Sequence, residues 1–206
     1  KYICKFKKPI IMSTGMNSIK EIMPSVNYIN KKKIPLALMH CTNLYPTPLE
    51  KSRLNSITEM NNVFKKNIIG YSDHTVGLYA SFSALSLGAL IIEKHYVDRH
   101  SRKGPDISCS MDKTQLKELI FASKLIKSSL PGKKVPLKEE EVTMNFAFAS
   151  VVSQKKILKG DILTKENICL KRPGNGYFKA SAFKKILGKR AARNIEPNVQ
   201  IKNKDI

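Results

Sequence analysis

Tryptophan is absent from the 206 residues, and all aromatics together make up only 7% of them. Acids are scarce, with 16 Asp and Glu against 37 Lys and Arg, for a formal net charge of +21. Cysteine occurs at Cys4, Cys41, Cys109 and Cys169, scattered and with no CxxC pair. That argues against a disulfide framework and for reduced thiols in a cytoplasm. No apolar run approaches the ~20 residues of a membrane span, and no signal-peptide pattern is found, so no membrane partner is expected.

What remains suffices for a core. The apolar fraction is 42%, and the length suits one large or two small domains. The positive charge raises a nucleic-acid reading. Yet Lys31-Lys32-Lys33, Lys65-Lys66, Lys133-Lys134, Lys155-Lys156 and Lys184-Lys185 fall mostly at expected helix ends and turns. No basic helix stands out, and no Lys/Arg cluster is interleaved with aromatics. We read a solvated, lysine-rich surface and no nucleic-acid partner, in a field that also suits anionic substrates.

The first two thirds repeat one pattern. Residues 9–15 and 36–41 read as buried strands. Between them Asn17 or Ser18 caps a helix running to about Asn30. A polar loop follows at 42–48, then a helix over 54–66 with Ile57, Met60 and Phe64 on one face. Residues 67–75 and 89–96 are two further β-branched runs, ending at His74 and His95 and separated by a segment long enough for one crossover helix. Such a unit makes its strands parallel, and parallel neighbours lie roughly 5 Å apart. His74 and His95 therefore meet on the rim where α/β folds place their chemistry, beside Ser72, Asp73 and Glu93. Two convergent imidazoles among oxygen donors suggest a divalent metal site. A loop at 98–106 and an amphipathic helix over 114–130 follow. Strands alternating with helices imply a parallel sheet covered on both faces.

Residues 131–145 change character and read as a linker. Beyond them, 146–206 read as a separate, mostly β module, with a strand over 146–152 and a rigid loop at 171–176. The expected division is 1–130, 131–145 and 146–206.

Seven segments together resemble the bacterial N-acetylneuraminate (sialic acid) synthase family. They are KPIIMSTGM (8–16), HCTNLYPTP (40–48), GYSDHT (70–75), EKHYVDR (93–99), GPDISCSM (104–111), NFAFASVV (145–152) and KRPGNG (171–176). The resemblance implies an α/β fold, the C-terminal half of a (β/α)8 TIM barrel followed by a small, mostly β antifreeze-like (SAF) domain. About four of eight barrel strands are accounted for. The family's first-half acid and phosphate-binding lysine have no counterpart.

The reaction implied is condensation of phosphoenolpyruvate with N-acetylmannosamine, giving N-acetylneuraminate and phosphate. The implied cofactor is a divalent metal, usually Mn2+, with Mg2+ or Co2+ as alternatives. Carried over by motif, His74 and His95 are metal ligands. Ser13, Asn43, Tyr45 and Ser72 line the phosphoenolpyruvate site. Glu93 orients substrate or a metal-bound water, and Asp106 and Arg172 contact the sugar. Blander readings stand beside these. Ser13 is also a plausible cap, Asn43 and Tyr45 a proline-rich turn, Asp106 a turn residue and Arg172 a surface arginine. His40 is expected to pack rather than ligate, and His100 and Lys171 to be solvated.

A related legionaminate or pseudaminate synthase is the alternative enzyme, and a truncated, non-catalytic product the alternative of another class. A half barrel leaves two sheet edges and its interior open, so this chain alone is expected to be incomplete. The family also implies a domain-swapped homodimer, with Arg172 entering the partner's site.

Overall fold

Four apolar runs become four parallel strands, β1 (Ile10–Ser13), β2 (Leu36–Cys41), β3 (Ile68–Asp73) and β4 (Ile91–Lys94), adjacent in that order. Helices α1 (Ile19–Lys31), α2 (Asn55–Val63) and α3 (Tyr79–Ser86) make the crossovers, and α4 (Lys113–Ser129) follows β4. The computed structural model describes residues 1–206, which divide into two units, Lys1–Gly132 and Lys133–Ile206. The first has the expected α/β architecture, a curled half-barrel sheet with β1 and β4 at open edges.

Local chemistry sets the helix starts. Ser18, not Asn17, caps α1 in a reciprocal capping box with Glu21, and Asp112 does the same for α4 with Gln115. The second helix is shorter than expected. It stops at Val63, and Phe64 turns inward at its end to join the core.

Ile10, Met12, Leu38, Ile69, Tyr71 and Ile92 pack against the helices in one cluster with Val26, Ile57, Met60 and Ala80. Successive strand side chains point to opposite faces. Ile11, Ser13, Met39, Cys41, Ser72 and Glu93 therefore share the other, concave face. There Ile11 and Ile68 remain 61% and 47% exposed.

The second unit holds α5 (Glu141–Ala147), the antiparallel pair β5 (Ser150–Ser153) and β6 (Ile168–Lys171), and α6 (Phe183–Ile186). Two expectations are corrected here. The segment read as a linker contains the start of α5, and the strand read over 146–152 begins only at Ser150. The run Glu139-Glu140-Glu141 is a helix start. Glu140 accepts the Leu137 N–H at 2.6 Å, and acids in a first turn oppose the helix dipole favourably. No helix is long and apolar enough to cross a membrane, and all four cysteines are unpaired.

Candidate active site

Asp73 and Lys94 are the last register partners of β3 and β4, so the next residues, His74 and His95, leave the sheet at one level. Their ring centroids are 5.4 Å apart, with the planes tilted by 54°. Tyr45 covers both, 4.2 Å from the His74 ring and edge-on to His95 at 5.9 Å.

The His74 tautomer follows from its partner. Nδ1 lies 2.9 Å from the Thr42 carbonyl oxygen, which can only accept. Nδ1 therefore carries the proton, and Nε2 turns a lone pair toward the concave face. Ser72 Oγ stands 3.5 Å from that Nε2 but donates to Glu93 Oε1 at 2.7 Å. A hydroxyl has one proton, so Ser72 does not consume the lone pair of His74. Cross-strand neighbours Ser72 and Glu93 thus form a polar floor beneath the imidazoles.

The other candidates lie as follows. Ser13 ends β1, exposed, at the mouth of a 590 Å³ cleft along that open edge. Asn43 is exposed and accepts from Cys41 Sγ at 3.6 Å. A Cβ at position 15 would collide with Asn43 Oδ1 and Cys41 Sγ, so any larger residue there would push both side chains from their places. The Tyr45 phenol is held above the ordinary tyrosine pKa, first by partial desolvation and then by the acidic groups of Cys41 and Asp106. Asp106 sits half-buried in the loop after β4 at φ 61°, its carbonyl accepting from Ser110 Oγ at 2.8 Å. Arg172 belongs to the second unit, exposed just after β6.

His40 is not drawn in. Its side chain lies on the helix-facing side, where Nε2 donates to the Ser52 carbonyl at 2.8 Å and the ring stacks on Tyr71. Burial holds its pKa below the ordinary histidine value.

No third His, Cys, Asp or Glu joins the two histidines in a metal-holding group. Two imidazoles, one with its donor nitrogen fixed by a backbone carbonyl, nevertheless suit a divalent ion that keeps water or substrate oxygens as its other ligands.

The family model described as the NeuB family matches residues 1–135, and that of the SAF domain matches residues 148–206. The chain belongs to the NeuB family. It is 36% identical over 206 residues to an N,N'-diacetyllegionaminic acid synthase of Campylobacter jejuni, covering 98% of this chain and 61% of that protein. To a pseudaminic acid synthase of the same species it is 34% identical, covering 98% and 59%. To the human N-acetylneuraminate-9-phosphate synthase it is 32% identical, covering 92% and 53%. Among solved structures, the N-acetylneuraminic acid synthetase of Leptospira borgpetersenii aligns with a TM-score of 0.64 at 31% identity, over 69% of this chain and 50% of that one. This NeuB-family chain thus spans less than two thirds of each.

Sequence reading passed over three contributors to this candidate site. Thr42 acts through its carbonyl, which leaves no residue-type signal. Gly15 acts by lacking a side chain. Lys94, one of many lysines, pairs with Asp73 inside the protein. Its one signal was its position, a charged residue in a β-branched strand just before a candidate ligand.

Proposed function

We propose that this chain serves in a nonulosonate synthase, condensing phosphoenolpyruvate with an N-acetylated hexose in its open-chain form. The observation that carries the reading is the pair of imidazoles 5.4 Å apart, set above the Ser72–Glu93 hydrogen bond on the concave face. The relatives named above make three different sugars by their names, so the hexose is proposed as a class. N-acetylmannosamine, the substrate the motifs suggest, is the first to try.

The condensation forms one bond, from the enol C3 to the aldehyde carbon, whose oxygen takes a proton. Water then adds at C2 and phosphate leaves. His74, through Nε2, and His95 would hold a divalent ion, proposed as Mn2+, and the chemistry it would supply is Lewis-acid polarisation of the aldehyde. Glu93, fixed by Ser72, retains lone pairs to hold a water or substrate hydroxyl at the reacting carbons. Ser13, Asn43 and Tyr45 would position the carboxylate and phosphate. Asp106 and Arg172 would hold the sugar, Arg172 through the several fixed donors of its guanidinium. The open edges of β1 and β4 favour a site wall completed by further strands.

The test has two parts. In the whole chain, His74→Ala/His95→Ala should weaken Mn2+ binding at least ~100-fold while leaving the circular dichroism unchanged, since both proposed protein ligands are lost, a larger change than removing support behind a ligand. Unchanged affinity would remove the metal reading. Phosphate release from phosphoenolpyruvate and N-acetylmannosamine by the 206-residue chain alone should fall well below ~1 per second, an ordinary turnover. Faster release would show that no additional wall is needed. A swapped homodimer, with Arg172 acting in the partner's site, goes with this reading. Mixed Arg172→Ala and His74→Ala enzymes, each completed with the remaining strands, should then regain activity on subunit exchange. Confirmed exchange without activity would refute the trans arrangement.

A further inference from the structure

Immediately before each histidine, on the opposite face of the sheet, stands a buried charge. Asp73 is fully buried, and the Lys94 side chain is 1% exposed. Lys94 Nζ lies 3.2 Å from Asp73 Oδ2 and donates to the Thr75 carbonyl at 2.7 Å. Asp73 Oδ1 accepts from the Thr75 N–H at 2.8 Å and its hydroxyl at 2.7 Å, and Oδ2 accepts from Ser81 Oγ at 2.6 Å. Lys94 Nζ uses two of its three donors within this cluster, and no buried side-chain polar atom of the protein lacks a partner.

Burying two charges is costly, and a well-packed apolar pair of similar volume is often as stable or more so. Stability alone therefore gives a weak account of this pair. Its connections give a better one. Asp73 joins the β3 end to α3 through Ser81, and Lys94 joins the β4 end to Thr75, the residue after His74. Thr75 bridges to Thr47, whose N–H donates to the His74 carbonyl at 2.8 Å. Thr47 Oγ1 donates to the Leu44 carbonyl at 2.8 Å and stands 3.1 Å from that of Thr42. Thr42 is the carbonyl that fixes the His74 ring, and Tyr45, in the same loop, covers it. One network thus runs from the ion pair, around the back of the sheet, to both sides of His74.

We propose that the Asp73–Lys94 pair is a positioning device. It sets the level of the two histidine-bearing strand ends and, through Thr75 and Thr47, holds the 42–48 loop that fixes the His74 tautomer. Its consequence for metal rests on the proposed role of the histidines, but its consequence for the tautomer does not. Neither residue touches the reacting atoms.

The test uses the whole 206-residue chain and the double variant Asp73→Asn/Lys94→Met, which removes both charges and strands neither. In the metal-free protein, imidazole 15N resonances should show His74 as one Nδ1–H tautomer in the unaltered chain and as a mixture in the variant. Mn2+ titration followed by electron paramagnetic resonance should show binding weakened ~10–100-fold, the usual effect of removing support behind a ligand. A folded variant with one His74 tautomer and unchanged Mn2+ affinity overturns the proposal. If the unaltered chain binds no Mn2+, the metal reading fails instead, and the tautomer measurement alone decides the positioning role. If the double variant does not fold, Ser81→Ala replaces it, taking one donor from Asp73 and leaving both charges. It should give the same two changes at smaller size, and the absence of both overturns the proposal.

Discussion

The two units bury their apolar residues in different ways. In Lys133–Ile206 the core closes on itself: Val151, Ile157, Leu163, Ile168, Ile186, Ala191, Ile195 and Ile201 are each at most 3% exposed. In Lys1–Gly132 one face of the sheet is packed by helices, while Ile11 and Ile68 lie open on the other. Parallel sheets are ordinarily covered on both faces. The small unit has a closed core, while Val142, Phe146 and Phe148, on and just after α5, stay exposed outside it. On the larger unit's concave face Met39, Cys41 and Ser72 are buried in the curl of the sheet, while Ile11 and Ile68 stay open beside the candidate chemistry.

The largest effects that can break this comparison come from the cores. Leu38→Ala and Ile157→Ala each remove a fully buried side chain and should cost ~2–5 kcal/mol. In denaturant, each substitution should shift its own unit's transition and leave the other in place. A single transition that moves with either would show that the units unfold together, and the contrast between them would lose its meaning.

A smaller effect sharpens it. Residues 133–206 contain no histidine, whereas His40 is buried in the first unit with its pKa lowered, chiefly by desolvation. A depressed folded-state pKa means that the unfolded chain takes up the proton first. Stability contributed by neutral His40 is thus complete above the ordinary value of 6.5 and falls as pH drops below it toward the folded pKa. Between pH 7.5 and 5.5 the first unit's transition should move to lower denaturant and the second should hold. His40→Gln should flatten that dependence, and an equal shift in both units would reject it.

Much of the first unit was legible in the chain. Strands of β-branched residues, Ser18 with Glu21, and the spacing of Ile57 and Met60 each carry their structural reason locally. Residues 131–147 were harder to read, because proline and a run of acids mark a linker and a helix start alike. The bond from Leu137 N–H to Glu140 and backbone bonds such as Phe148 N–H to the Met144 carbonyl distinguish the two. The site divides along the same line. His74, His95, Ser72 and Glu93 stand at strand ends and could be named from that position, from chain order and from the motifs of the resemblance. Thr42, Gly15 and Lys94 could not, since a carbonyl, a missing Cβ and one lysine among many have no signature by residue type; Asp73, expected beside the histidines as an oxygen donor, faces the helices instead and pairs there with Lys94.

The sequence by itself determined which residues alternate to the concave face, where the helices begin and which family the motifs resemble. Those properties depend on neighbours a few positions away and on patterns of period 2 or 3.6. Only the tertiary structure decided that His74 presents Nε2, that Ser72 gives its proton to Glu93, and that a buried ion pair stands behind both histidines. Each of these depends on groups brought together across strands and loops, where distance and direction, rather than residue type, select the partner of a proton.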